Sequence, residues 1–365
     1  MAIVSVGPLG NHAIGPFRIR IETDGENVRS GHPEVGLLHR GIEKIAERMT
    51  WAGFVPYTDR VDYVSSVHGN LAYALAVERL AGIEVPERAS RIRVIATELG
   101  RIGSHLLALG AMADVLGHRT FFMFALRERE RANNLFEMLA GARLTHSYAR
   151  IGGVAFDITE GFVEKTREFL EYIETKIPEY SDLLFGGDLF RERLSGLAPV
   201  SSPLAIQAGL TGPNLRASGL KRDVRKDDPY CGYERLDFGV PVGAGESGTQ
   251  GDALDRVRVR LREISESSDI VRQALKGIPE GSFQSPIPRL FRAPEGEACA
   301  SVESPRGTLS VYVRSSGGRG PRRVRFRAPS FSVLSLFPGI LTGAQLSDVA
   351  AIVSSFDVCA SEVDR

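Results

Sequence analysis

The three cysteines are the side chains best suited to metal or thiol chemistry, and their spacing limits what they can do. Cys231, Cys299 and Cys359 stand far apart, so they form neither a C-x-x-C metal motif nor a paired disulfide framework. A sparse, odd cysteine count is typical of a chain in a reducing compartment. These residues alone cannot supply four thiolates to a metal cluster.

A stripe of small residues accompanies the longest helical pattern. Apolar residues recur in alternating threes and fours from Ile92 to Leu109, as on the buried seam of a helix. The neighbouring stripe consists of Gly100, Gly103, Leu107, Gly110 and Asp114. Each glycine costs a helix about 0.8–1 kcal/mol against alanine, so the stripe predicts close approach of another helix or of a cofactor-bearing loop. Asp114 is expected to be a buried carboxylate that can take part in proton transfer.

The remaining patterns predict an α+β fold that is mainly helical, with strands near both ends. Residues 1–35 are predicted to form a β-hairpin region turning at Asp24-Gly25, and residues 36–365 a helical domain. Within that domain we expect a helix over 161–177 that ends at Pro178, and another over 252–276. Residues 184–250 are rich in Gly, Pro and Asp, which predicts an irregular insert with short strands. A second hairpin is expected over 306–328.

Composition excludes several classes of protein. The 365 residues are 43% hydrophobic, enough for one large core or two modest ones. Lys+Arg and Asp+Glu both number 45, so no net charge attracts nucleic acid or an anionic membrane. No stretch reaches the ~20 apolar residues of a membrane-spanning helix, and the sequence lacks a Rossmann glycine fingerprint and a P-loop. Any membrane role is therefore expected to run through partners, and a stand-alone soluble enzyme is disfavoured.

Ten short motifs in order resemble one known family. Leu38-His-Arg-Gly-Ile-Glu-Lys44, Tyr57-Thr-Asp-Arg-Val-Asp-Tyr-Val-Ser65 and Glu87-Arg-Ala-Ser-Arg-Ile-Arg-Val94 resemble stretches of the D-type subunit of complex I (NADH-quinone oxidoreductase). The others are Gly141-Ala-Arg, Gly152-Gly153-Val, Phe190-Arg-Glu-Arg, Arg216-Ala-Ser-Gly, Asp227-Asp-Pro-Tyr, Arg327-Ala-Pro-Ser-Phe and Glu362-Val-Asp-Arg365. The resemblance covers nearly the whole chain and implies the central helix bundle of a [NiFe]-hydrogenase large subunit.

The positions of the hydrogenase nickel ligands separate the two branches of this superfamily. In hydrogenases two C-x-x-C pairs supply four soft thiolates, which low-valent nickel chemistry needs. The resemblance places these positions on Asp62, Ser65, Cys359 and Glu362, so one thiol of four remains. A nickel site is therefore not expected, and no metal site is predicted for this chain.

In complex I the place of the lost nickel–iron site is a quinone pocket. The resemblance therefore implies roles for individual residues. The tyrosine that hydrogen-bonds the quinone head group falls on Tyr63, and Asp62 beside it would relay protons if burial raised its pKa. Without the resemblance, Tyr63 would be interpreted as a tyrosine in a buried helix seam. Electrons would arrive from a [4Fe-4S] cluster in a neighbouring subunit. The two cluster-proximal arginines fall on Arg40 and Arg60, which are otherwise exposed structural arginines.

Three departures from the family pattern bear on these roles. The positions of the two histidines in the N-terminal family motif hold Gly10 and Ile14 here, and His12 lies between them. We expect His12 either to replace the quinone-contacting histidine through a loop shift or to be a surface residue. The aspartate paired with that histidine aligns with Val115, one residue after Asp114. The cluster-proximal histidine aligns with Thr145, so His146 is the candidate for that role.

These departures resemble the branch of the superfamily related to F420H2 dehydrogenases. The resemblance implies a subunit of a translocase that binds no cofactor by itself, with NADH, F420H2 or ferredoxin as electron donor and menaquinone, methanophenazine or another compound as acceptor. The implied partners are an iron–sulfur subunit (B-like), a C-like subunit and membrane-arm subunits, at the cytoplasmic side of the cell membrane. The alternative is a non-catalytic scaffold that docks an iron–sulfur subunit on a membrane arm in a hydrogenase-related complex.

Overall fold

The structure is a computed structural model that describes residues 2–246 and 248–365. Its strands are β1 (Ala2–Val6), β2 (Arg18–Asp24), β3 (Asn27–Glu34), β4 (Ala149–Arg150), β5 (Gly153–Val154), β6 (Gly296–Ser304), β7 (Gly307–Ser315) and β8 (Arg323–Arg327). The helices up to residue 194 are α1 (Ile42–Ala46), α2 (Val55–Thr58), α3 (Ser66–Ala81), α4 (Glu87–Val115), α5 (Arg119–Ala140), α6 (Phe162–Phe185) and α7 (Asp188–Leu194). Those after it are α8 (Ser202–Gln207), α9 (Gly212–Ala217), α10 (Val224–Asp227), α11 (Ala253–Lys276), α12 (Pro329–Leu334), α13 (Phe337–Leu341), α14 (Val349–Ser355) and α15 (Ala360–Val363).

The long helix α4 forms the axis of the molecule. It is buried along most of its 29 residues and packs against α3, α5 and α11. The glycine stripe allows the close approach of two of these helices. A Cβ on Gly110 would lie 3.0 Å from the Cβ of Ala125 in α5, and one on Gly100 would lie 3.2 Å from Cγ1 of Val67 in α3. Helix packing, rather than a cofactor-bearing loop, therefore accounts for these two glycines.

Two three-stranded antiparallel sheets flank the helices. The N-terminal sheet has the order β1-β2-β3, and its central strand buries Ile19 and Ile21 while the alternate residues are more exposed, as a half-buried strand requires. Phe17 at its start packs with Phe337 and Phe356 in a core that joins the two ends of the chain. The second sheet has the order β6-β7-β8 and packs on α3.

The predicted α+β class with a mainly helical core is confirmed, but several elements differ from the prediction. The predicted helix end at Pro178 is wrong, because α6 continues to Phe185. Proline removes one helical hydrogen bond, yet buried Tyr180 and Leu184 anchor the following turns. The hydroxyl of Tyr180 donates to Glu128 on α5 at 2.6 Å.

Residues 184–250 are largely irregular as predicted, but the described residues there include the short helices α7 to α10 instead of short strands. Strands β1 and β6 were not predicted. Most residues of β1 are exposed, and β6 includes Glu297, Cys299 and Glu303, so neither strand shows a simple apolar alternation. Within the described residues, no helix is both long enough and apolar enough to cross a membrane.

Candidate functional site

Three distant segments meet around Tyr63. The N-terminal loop and the C-terminal segment are paired, because the Ile14 amide donates to the Val358 carbonyl at 2.9 Å and the Ala360 amide donates to the Ile14 carbonyl at 2.8 Å. Tyr63, in the loop between α2 and α3, lies against this pair. A Cβ on Gly15 would be 3.2 Å from the Tyr63 hydroxyl and 3.4 Å from the Cβ of Ala360. Gly15 has φ +84°, so both its conformation and the space favour glycine.

The Tyr63 side chain is half-buried, with its phenol at the edge of a buried polar cluster. Burial raises the pKa of Tyr63, and the neighbouring Cys359 and Asp62 raise it further. The phenol therefore stays protonated at neutral pH and can donate a hydrogen bond.

Asp62 is held by a buried arginine. The Arg306 guanidinium donates to an Asp62 carboxylate oxygen at 2.5 Å and to the Asp357 carbonyl at 3.0 Å, and it lies 3.4 Å from the Asp357 carboxylate. All three side chains are at most 5% exposed. Burial raises the pKa of Asp62 against the opposing charge of Arg306. The proton-relay role of Asp62 stays a prediction.

The four positions of the hydrogenase ligands lie around the same cluster. The Cys359 thiol lies 3.9 Å from an Asp62 oxygen and 3.1 Å from the Ser361 hydroxyl. Glu362 accepts from the Ser330 hydroxyl at 2.5 Å, and Ser65 pairs with Nδ1 of His68 at 2.6 Å. Burial raises the pKa of Cys359 to about 12, so its thiol is protonated at neutral pH. One protonated thiol, one hydroxyl and two carboxyls do not fit the nickel–iron chemistry of the hydrogenases.

The two arginines predicted to lie near a cluster are neighbours on the surface. Arg40 is exposed and donates to the backbone carbonyl of Arg60. The Arg60 side chain is 44% exposed, donates to the Pro56 carbonyl at 2.6 Å and lies 3.3 Å from the buried Asp59 carboxylate. Both cations thus face outward close to the Tyr63 loop.

His146 lies beneath this surface rather than on it. It is 9% exposed, its ring stacks on Phe136 at 4.0 Å, and its Nδ1 pairs with the Ser66 hydroxyl at 2.8 Å. Burial lowers the pKa of His146 to about 4, so the imidazole is neutral. Its Nε2 has no hydrogen-bond partner among the described residues.

The prediction for His12 and Asp114 needs correction. The expectation of a surface histidine is wrong, because His12 is 5% exposed and its Nε2 pairs with the Phe17 carbonyl at 3.1 Å, inside its own loop. Asp114 is half-buried rather than buried, and it accepts a hydrogen bond at 2.6 Å from Asn11, the neighbour of His12. The N-terminal loop therefore still contacts the α4 carboxylate, but through an amide.

Arg306, Asp357 and Ser330 were not predicted to be site residues. Arg306 occupies the tight turn between β6 and β7, where Ser304 pairs with Gly307. The sequence Ser304-Pro-Arg-Gly is typical of a tight turn, but the turn was not predicted because strand β6 before it was not predicted. Nothing in the sequence indicates that an arginine in such a turn is buried.

Comparisons with known proteins agree across the whole chain. A family model described as respiratory-chain NADH dehydrogenase, 49 Kd subunit, matches residues 115–365. A D-type subunit of NADH-quinone oxidoreductase from Anaeromyxobacter sp. (strain K) is 47% identical over 363 residues, which cover 100% of this chain and 96% of the relative. The corresponding D-type subunit of Desulforamulus reducens is 45% identical, with coverages of 99% and 98%.

A solved structure has the same fold. It is described as the membrane-bound sulfane sulfur reductase, an archaeal respiratory membrane complex, and one of its chains matches with a TM-score of 0.94 and 36% identity. The match covers 100% of this chain and 98% of that one. The match therefore includes both of the chain ends that meet beside Tyr63 in this protein.

Proposed function

Since the chain belongs to the family of the 49 Kd subunit of respiratory-chain NADH dehydrogenase, we propose that it is the quinone-site subunit of a complex-I-type, ion-translocating respiratory complex. In this proposal it passes electrons from a [4Fe-4S] cluster in a neighbouring iron–sulfur subunit to a quinone-type acceptor. The observation that carries the proposal is the half-buried phenol of Tyr63, which lies beside the buried pair of Asp62 and Arg306.

The chemistry required at the pocket is hydrogen bonding followed by proton supply. Two-electron reduction of a quinone places negative charge on two oxygens, and each takes up one proton. The phenol of Tyr63 is protonated and can donate to one of these oxygens. Asp62 can relay a replacement proton to the phenol because burial raises its pKa and so eases its transient protonation, while Arg306 fixes its position.

Electron entry is proposed on the side of Arg40 and Arg60. Arg40 is exposed and Arg60 is partly exposed, and both lie close to the loop that carries Tyr63. A fixed cation next to a cluster stabilises its reduced, more negative state. The iron–sulfur partner is therefore placed against these arginines, and a C-like subunit and the membrane-arm subunits complete the complex at the cytoplasmic side of the membrane.

One observation favours the alternative of a scaffold or of a different acceptor. The position of the family histidine that meets the quinone holds Ile14, and His12 is bonded to the Phe17 carbonyl within its own loop. The similar solved structure is described as a sulfane sulfur reductase, not as a quinone reductase. The electron donor, whether NADH, F420H2 or ferredoxin, is likewise left open by the proposal.

The test is Tyr63→Phe in the assembled complex, with reduction of a short-chain quinone analogue and the cluster signal measured on the same sample. We expect a loss of quinone reduction of about 100-fold, the scale of a missing proton donor, with the cluster still reducible. Tyr57→Phe, at a second half-buried tyrosine just before this loop, is the matched control and should retain activity. Unchanged turnover in Tyr63→Phe would make Tyr63 a structural residue and favour the scaffold.

A further inference from the structure

Three carboxyl groups lie around the Arg306 guanidinium, next to Tyr63. Arg306 forms ion pairs with Asp62 at 2.5 Å and with Asp357 at 3.4 Å, so its positive charge compensates these two carboxylates. Glu362 is 0% exposed and lies in the same cluster, but among the described residues no cation binds its carboxyl group. A buried charge without a partner is expensive, so one of these carboxyls must carry a proton.

The hydrogen bonds of Glu362 identify the oxygen that carries it. Its Oε2 accepts from the Ser330 hydroxyl at 2.5 Å and from the Ser330 amide at 3.4 Å, as a carbonyl oxygen does. Its Oε1 is buried and has no hydrogen-bond partner among the residues of the described ranges. An unpaired anionic oxygen would be strongly disfavoured there, whereas an O–H group is a donor that awaits an acceptor.

The charged and titratable groups around Glu362 favour the same assignment. Asp62, in the Tyr63 loop, and Cys359, in the C-terminal segment, interact electrostatically with Glu362. Two arginines also interact with it, Arg306 from the turn before β7 and Arg327 from the end of β8. Burial and the Asp62 charge raise the pKa of Glu362 to about 8, although Arg306 opposes them. Burial also raises the pKa of Asp62. We place the proton on Glu362 because the Asp62 carboxylate is hydrogen-bonded to the Arg306 guanidinium, whereas no guanidinium among the described residues is bonded to the Glu362 carboxyl group.

We infer that Glu362 stores one proton in the resting protein and releases it to the Tyr63 side of the pocket when an acceptor is reduced. This inference rests on the proposed function for the origin of the electrons, which come from the cluster of the neighbouring iron–sulfur protein. The O–H bond of Glu362 breaks, an O–H bond on the reduced acceptor forms through Tyr63 and Asp62, and the electron pair of the broken bond stays on the Glu362 carboxylate. A proton taken up from the bulk solvent later restores the Glu362 carboxylic acid.

The experiment is infrared difference spectroscopy on the whole complex during electrochemical reduction, with and without a short-chain quinone analogue. We expect wild type with quinone to lose a carboxylic-acid C=O band, and Glu362→Gln to show no such loss. Ser330→Ala removes a hydrogen bond to the carbonyl oxygen, so the band should shift to higher frequency. Glu128→Gln is the matched control, because Glu128 is a buried glutamate on α5 bonded to Arg127 and Tyr180, and it should leave the band unchanged.

The outcomes separate this inference from the proposed function. If the band is lost in Glu362→Gln as in wild type, or does not move in Ser330→Ala, Glu362 is not the protonated group. If wild type reduces quinone while its band is constant, the stored proton is not delivered and the inference fails, although the proposed function stands. If wild type reduces no quinone, the proposed function fails, and a constant band on reduction then overturns this inference as well. Should Glu362→Gln not assemble, the shift in Ser330→Ala decides.

Discussion

At the scale of single residues, a buried guanidinium joins two segments of the chain next to Tyr63. The Arg306 guanidinium bonds Asp62 from the Tyr63 loop and the Asp357 backbone from the C-terminal segment. It thereby links two segments that in hydrogenases are joined through nickel and iron. Removing one partner from a buried ion pair leaves an uncompensated charge, so the position of Asp62 depends on Arg306.

Arg60 is the residue through which electron entry can be tested. Arg60→Met removes a cation without adding bulk, and we expect the midpoint potential of the adjacent cluster to fall because its reduced state loses electrostatic stabilisation. A potentiometric titration of the cluster signal in the complex measures this. Arg191→Met on α7, where the arginine is paired with Asp188, is the control and should leave the potential unaltered. An equal potential in both variants would contradict contact between Arg60 and the cluster.

At the scale of elements, Gly103 and Gly110 of α4 differ in the space available for an added Cβ, so they allow a matched test. A Cβ on Gly103 would meet only ordinary contacts at 3.9 Å, whereas one on Gly110 would lie 3.0 Å from Ala125 and 3.1 Å from Phe122. Gly103→Ala should therefore be neutral or stabilising by up to about 1 kcal/mol. Gly110→Ala should be destabilising by about 1–3 kcal/mol, since α5 must shift.

Urea unfolding followed by the fluorescence of Trp51, the single and fully buried tryptophan, measures both variants. Equal effects of the two alanines would mean that α4 and α5 do not approach as closely as this packing requires.

The elements that the sequence predicts well are those whose pattern is local. The α4 seam and the alternation of β2 follow from apolar periodicity, and the cap at Gly277 ends α11. The continuation of α6 through Pro178 was not predictable, because it depends on contacts of Tyr180 with Glu128 on another helix. For the same reason β6, which buries residues against α3, carries no simple pattern of its own.

At the scale of the whole molecule, the candidate site exists only because the chain ends meet. Tyr63 and Asp62 could be singled out by resemblance, since they lie in one motif. Their environment could not, because Ile14, Arg306 and Cys359 come from three remote segments joined by tertiary packing. The sequence thus identifies candidate residues, whereas the fold determines which of them lie around the buried charge of Arg306.

The pH dependence of global stability tests that shared charge. The pKa of Glu362 is raised from its ordinary value of 4.5 to about 8, so between these values the folded state holds a proton that the unfolded state has released. Stability from this group therefore falls as pH rises. His146 has the opposite sign, because its pKa is lowered from 6.5 to about 4, and its contribution is complete above pH 6.5.

Between pH 6.5 and 8 the stability contributed by Glu362 falls, and His146 no longer changes the free energy of unfolding in the opposite direction. We expect the free energy of unfolding to fall across this range with a slope of at most about 1.4 kcal/mol per pH unit from Glu362, the value for one proton. Urea unfolding at several pH values, again followed through Trp51, measures the slope. Glu362→Gln should flatten it because its amide does not titrate, whereas Glu128→Gln should retain it. A Glu362→Gln variant with the wild-type slope would show that another group holds the proton, and Asp62, whose pKa burial also raises, would then be the candidate.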